Sequence, residues 1–191
     1  MEYNTGNKRE PERQGMEVLL KRRGIEVREE KWLINGLIRE RQVVDIQDAV
    51  VILPITKEGK IVLIRNFRVP TKEKWLVELP AGKIDAKPEG GFETPVETAR
   101  RELSEETGYN AKKLTLKQKA YASPGRLTEM IYTVVAEDLE NGEIHREDGE
   151  MISDVTEVTL QEALDMIENG TIIDIKTMNA IRGYALEQMN V

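Results

Sequence analysis

Residues Gly82–Tyr109 read GKIDAKPEGGFETPVETARRELSEETGY, and the local signals for one short helix are dense within them. Thr94 is a capping residue, Pro95 suits the first helical position, and Glu97 completes a Thr-x-x-Glu capping box. Gly108 supplies the stop. Val96, Ala99 and Leu103 recur at i, i+3 and i+7, so one stripe of this helix faces a core. Glu102 and Glu106 lie one turn apart on another face, with Glu105 beside Glu106.

Three glutamates within five residues repel one another, and each like-charge pair one turn apart costs an isolated helix about 0.2–0.5 kcal/mol. A divalent cation removes that penalty. Mg2+ takes oxygen ligands in an octahedral shell, often with only one or two carboxylates, which leaves positions for water and substrate phosphate. The plainer alternative is a solvated acidic face on which Arg100 and Arg101 act as salt-bridge partners.

The longer spacing separates these alternatives. Glu93, then Arg101-Glu102-Leu103, Glu105-Glu106 and Gly108-Tyr109 resemble the Nudix box, the signature of hydrolases that cleave nucleoside diphosphates linked to another moiety. Ten residues separate Gly82 from Glu93, a longer interval than the family's box has. Ala86–Phe92 therefore reads as a loop carrying a short insertion, since Pro and paired Gly mark turns.

The bulk properties are consistent with a soluble enzyme of one ordinary domain plus an appended element, in 191 residues. The net charge is -7 and no Lys/Arg run stands out, which argues against a nucleic-acid partner. Without cysteine there is no disulfide, thiolate catalysis or Cys-ligated zinc. With no spanning apolar run and a polar start lacking a signal-peptide core, the expectation is a cytoplasmic protein with no membrane association.

Residues 1–14 read as a polar tail. Residues 15–46 read as an N-terminal β element, with strands at Glu17–Leu20, Ile25–Ile34 and Leu37–Ile46 and turns at Arg23-Gly24 and Asn35-Gly36. Residues 47–191 form the main domain. Its expected strands are Ala49–Pro54, Lys60–Phe67, Trp75–Leu79, Lys117–Ala122, Met130–Ala136 and Val155–Thr159. Thr159-Leu-Gln-Glu162 is a capping box for a helix ending near Gly170, and a final helix runs from Ile175 to Gln188. Strands and helices do not alternate as a βαβ repeat. The class is α+β: a Nudix-type α/β/α sandwich with a mixed sheet and an N-terminal β element.

Sequence flanking the box narrows the resemblance. Ile64–Pro70 (IRNFRVP) and Trp75–Asp85 (WLVELPAGKID) are similar to the ADP-ribose pyrophosphatase branch, as is Pro124 of Ser123-Pro124-Gly125. Relatives acting on GDP-mannose carry a similar Ser-Pro-Gly-x-x-Thr-Glu stretch, which Ser123–Glu129 matches. The resemblance implies Mg2+- or Mn2+-dependent hydrolysis of ADP-ribose to AMP and ribose 5-phosphate, with more than one ion per site. GDP-mannose or another nucleoside diphosphate sugar is the alternative substrate. A reading of another class is a non-catalytic nucleotide-sugar sensor on the same fold.

By the same resemblance Glu102 and Glu106 are metal ligands, Glu105 a ligand or close support, and the Ala81 carbonyl completes the set. Arg101 orients the glutamates by ion pairing; its alternative role is a surface partner of Glu97, one turn away. Glu93 matches the box but sits before the cap and serves the loop or a further metal; Glu97 has no assigned role in the site. A pyrophosphate carries negative charge that repels a nucleophile, so cations are needed to neutralise its oxygens and acidify a water. The expected general base is Glu150, then Asp148 or Glu147; His145 reads as a surface residue. Arg68 and nearby Arg65 are candidate phosphate contacts, Pro124, Gly125 and Glu129 candidate pocket residues, and Trp32 either a packing aromatic or a nucleobase platform. Glu78 is a structural partner behind the metal helix. The N-terminal hairpins resemble those used for dimerisation, implying a homodimer.

Overall fold

The computed structural model describes residues 10–143 and 151–189. Within them the chain forms ten strands and three helices and divides into two units, one comprising residues 10–47 with 121–129 and the other 48–120 with 130–143 and 151–189.

The first unit is built on a three-stranded antiparallel sheet of β1 (Glu12–Arg22), β2 (Ile25–Ile34) and β3 (Leu37–Ile46). Both hairpin turns have two successive residues at positive φ: Arg23 and Gly24 at 47° and 75°, Asn35 and Gly36 at 52° and 78°. This pattern suits the right-handed twist of a two-residue hairpin. Strand β1 begins at Glu12, inside the stretch read as a tail. Its pairing with β2 accounts for the difference, since Glu12 sits opposite Leu33 and Arg13 opposite Trp32. Ser123–Glu129 belongs to this unit: Val44 N–H donates to the Arg126 carbonyl, Thr128 N–H to the Val44 carbonyl, and the Thr128 hydroxyl to Asp45.

The second unit is the sandwich. One sheet runs β7 (Ala81–Lys83), β4 (Ala49–Pro54), β9 (Met130–Asn141), β8 (Tyr109–Tyr121), and the other β10 (Ile152–Val158), β5 (Ile61–Phe67), β6 (Trp75–Glu78). Strands β4 and β9 are parallel while β4 and β7 are antiparallel, so the sheet is mixed. Successive residues of a strand face opposite sides, and the core follows that period. Val50, Ile52 and Val62 pack with Ala99 and Leu103 of α1 (Pro95–Thr107). Val51, Leu53, Ile61 and Leu63 pack instead with Ala163 and Ile167 of α2 (Leu160–Glu168) and Ala180 and Ile181 of α3 (Ile175–Met189). Apolar faces on both sides explain why β4 is a continuous apolar run rather than an alternating one.

The capping signals of α1 are realised. Thr94 and Glu97 form the reciprocal box and Gly108 closes the helix at φ 75°. Strand β7 was not anticipated, being only three residues long, and β8 starts well before the expected Lys117. The Asn110–Lys113 segment is too polar to announce a strand. Pairing with β9 holds it.

Candidate active site

Helix α1 carries its acidic face against β7. Glu102 and Glu106 are buried, at 6% and 1% exposure, although isolated carboxylates are almost never placed there without partners. Their position follows from the backbone beneath them. A Cβ built on Gly82 would overlap the Cγ, Cδ and Oε1 atoms of Glu102, so only glycine lets this carboxylate lie on the strand. Glu106 Oε2 accepts the Ala81 N–H at 2.8 Å.

Arg101 is the hub of the exposed side of this cluster. Its Nε and Nη2 donate to Glu93 Oε1 and Oε2 at 3.1 and 2.9 Å, and its Nη1 to Glu102 Oε1 at 2.6 Å and Glu105 Oε2 at 3.1 Å. Nη2 also donates to the Lys83 carbonyl and lies 3.3 Å from Asp85 Oδ2. The bonds donated to Glu93, the charge of Glu102 and the bonds to Glu102 and Glu105 outweigh burial and push the guanidinium further above its ordinary range. One cation thus spans the start of the helix, its middle and the loop after β7. Glu97 does not pair with Arg101. Its carboxylate takes the Thr94 N–H at 2.7 Å and Lys87 Nζ at 2.9 Å.

Glu97 is pulled from its ordinary 4.5 to about 2, first by the bond from Lys87 and then by Thr94. Glu93 is lowered as well, chiefly by Arg101 and against its burial. A carboxylate depressed in the folded state stabilises above its unfolded value and loses that contribution as pH falls through the folded one. The difference in melting midpoint between the wild type and Glu97→Gln should therefore shrink as pH is lowered from 4.5 towards about 2. A difference independent of pH over that window would contradict this origin.

The donor set is one of hard oxygens. Among the described residues, no three or more His, Cys, Asp or Glu groups are gathered as a metal cage: Glu102 and Glu105 turn to Arg101 and Glu106 to the Ala81 N–H. Even so, Asp85, Glu93, Glu102, Glu105 and Glu106 outnumber the single guanidinium among them, and Glu102 and Glu106 share one buried turn. A cation that uses one or two carboxylates and otherwise water or phosphate fits this set.

The other expected residues fall in different places. Arg68 lies just past β5 and bonds Glu78 rather than standing free: Nε and Nη2 donate to Glu78 Oε2 at 3.0 and 2.7 Å. Its charge is also favoured by Glu106, though less than by Glu78. Arg65 is exposed on β5, its guanidinium 4.9 Å from the centroid of Trp75. In the first unit, Trp32 donates its indole N–H to Glu30 at 2.8 Å, Pro124 and Gly125 form an exposed turn, and the Glu129 carbonyl accepts from the Ala122 N–H. Glu147, Asp148, Glu150 and His145 lie outside the described residues. Asp85 was missed as a member of the Arg101 cluster, although it stands in the WLVELPAGKID segment beside the box.

A helix of this kind, laid against the strand before it and tied by one arginine to three glutamates, invites comparison with known proteins. The NUDIX domain model matches residues 45–180. The chain belongs to the Nudix family. Nudix proteins generally use divalent metal ions. This member is 42% identical to "ADP-ribose pyrophosphatase" of Bacillus subtilis, over 84% of both chains. It is 38% identical to "Methanol dehydrogenase activator" of Bacillus methanolicus, over 82% of both. Among solved structures, "Crystal structure of ADP compounds hydrolase" superposes with a TM-score of 0.82 at 25% identity, covering 98% of this chain and 100% of that one. No helix among the described residues is long and apolar enough to cross a membrane.

Proposed function

We propose that this Nudix hydrolase cleaves the pyrophosphate bond of ADP-ribose to AMP and ribose 5-phosphate with Mg2+ as its ion. The observation that carries the proposal is the buried Glu102/Glu106 turn tied to Arg101 and seated on Gly82. Its substrate rests on the 42% identical relative, whose name is that activity, and on a solved relative named for ADP compounds.

When bound, the divalent ion supplies positive charge that offsets the pyrophosphate oxygens and lowers the pKa of a coordinated water. Glu102 and Glu106 would hold it, with Glu105 and the Ala81 carbonyl as further donors. Arg101 holds Glu102 and Glu105 in place by charge-assisted bonds, which are stronger than neutral ones and fix orientation. Gly82 keeps the strand low enough for Glu102 to lie across it. Arg68, whose charge Glu106 favours, is the proposed phosphate contact, with Arg65 second. Glu150, or failing it Asp148 or Glu147, takes the proton from the attacking water.

A cytoplasmic homodimer is part of the same proposal. Met16, Val18, Leu19, Leu20, Leu37 and Ile38 of the N-terminal sheet are about half exposed in the single chain, a concentration of apolar surface that a partner would cover. Sedimentation as a monomer at micromolar concentration would set that part aside. Trp32, Pro124, Gly125 and Glu129 are proposed for the base and sugar.

A panel of nucleotide sugars with Mg2+ tests the substrate. ADP-ribose is expected to be turned over with the highest kcat/KM. A preference for GDP-mannose, whose hydrolases share the Ser123–Glu129 wording, would reassign the substrate, and binding without turnover of any compound would favour the sensor.

A further inference from the structure

Next to the Leu79–Ala81 segment lies a group of charges, with Glu78 buried and Arg68, Lys176 and Asp174 half-buried, of which the proposed chemistry uses only Arg68. Glu78, 1% exposed, has two cations on one oxygen: Arg68 Nη2 at 2.7 Å from Oε2 and Lys176 Nζ at 3.7 Å from it. Lys176 Nζ also lies 2.9 Å from Asp174 Oδ1. Asp174 Oδ2 accepts the Thr177 N–H at 3.0 Å and the Thr177 hydroxyl at 2.6 Å, and Thr177 Oγ1 in turn accepts the Leu79 N–H at 3.0 Å. Next along the chain, Ile52 N–H donates to the Pro80 carbonyl at 2.8 Å, and Ala81 N–H to Glu106 Oε2 at 2.8 Å. A continuous series of bonds therefore runs from the start of α3 to a carboxylate of the metal helix.

For stability alone this is an expensive way to fill space. Desolvating an ion as buried as Glu78 costs several kcal/mol, and apolar side chains of similar volume are often neutral or better. Networks of this kind instead fix geometry, as the partners behind metal ligands commonly do. Lys176 is the member that joins the two halves. Without it Glu78 and Asp174 lose their shared cation, and Asp174 is what orients the Thr177 hydroxyl toward Leu79.

We propose that Lys176 is a positioning residue of the metal site: acting through Glu78 and through Asp174 and Thr177, it holds the Leu79–Ala81 segment so that the Ala81 N–H sets Glu106. This inference rests on Glu106 holding a divalent ion. Calorimetric titration of the metal-free protein with Mn2+, beside kcat and KM, tests both. Lys176→Met should weaken ion binding about 10-fold and lower kcat while KM for the nucleotide changes little, and Lys176→Arg should restore most of the loss. Thr177→Val, close in shape but with no acceptor for the Leu79 N–H, should move the same way and decides the matter if Lys176→Met does not fold. A lysine that only stabilises would lower the melting midpoint and leave ion affinity unchanged. Folded variants that bind Mn2+ as the wild type does would overturn the proposal, whereas a wild type that binds no ion would remove the metal site itself.

Discussion

Gly82→Ala is expected to fold and to lose about 100-fold or more in turnover. The position is not one where glycine is needed for backbone freedom, since its φ is not in the left-handed range. Alanine therefore costs little in the chain itself. What the new methyl meets is the end of a flexible side chain, the carboxylate of Glu102, which can rotate away without moving the core. The fold then survives while the proposed metal donor is displaced. Changes to groups that orient ligands commonly cost about 10–100-fold, and a displaced ligand belongs at or above the top of that range. A stability loss of about 1 kcal/mol would lower the melting midpoint by about 2–4 °C in a chain of this size. Normal kcat in Gly82→Ala would mean that Glu102 does not have to lie on β7 for activity.

Glu106→Gln separates charge from shape more cleanly. The side chain is 1% exposed and accepts the Ala81 N–H, and glutamine keeps both the size and a carbonyl oxygen to accept that bond. The negative charge is removed, and one acceptor oxygen becomes an NH2 donor. If that charge holds an ion worth several kcal/mol in the transition state, kcat should fall by a factor of about 100 or more, at about 1.4 kcal/mol per tenfold. The melting midpoint of the metal-free protein should stay level or rise, because the glutamine relieves repulsion from neighbouring Glu102 and Glu105. A large loss of stability with intact kcat would reverse the assignment and make Glu106 a purely structural carboxylate.

How much of this was legible in the sequence depends on distance along the chain. Helix α1 was readable to its ends because Thr94, Pro95, Glu97 and Gly108 each act within one turn, and β2, β3 and β4 because their apolar and turn residues sit side by side. The acidic face was equally visible, as Glu102 and Glu106 are set by helical period alone. Bonds that tie distant segments were not. Nothing local in Lys176 or Thr177 points to Glu78 or Leu79, which lie about a hundred residues earlier. Arg68 shows the same limit from the other side: its type and place suggest a phosphate contact, yet its geometry is set by a bidentate bond to Glu78, a residue buried by the packing of β5 and β6. Strand β8 was underestimated because a polar segment becomes a strand only through its neighbour.

The central claim is that one buried acidic turn on α1 makes this chain a metal-dependent pyrophosphate hydrolase. Phosphorus NMR of ADP-ribose incubated with the purified protein tests it most directly, with Mg2+ present and then with excess chelator. The pyrophosphate doublets should give way to two phosphomonoester signals, those of AMP and ribose 5-phosphate, only when Mg2+ is present and only slowly with Glu106→Gln. Persistence of the pyrophosphate signals with Mg2+, or equal conversion by the wild type in chelator, would contradict the claim.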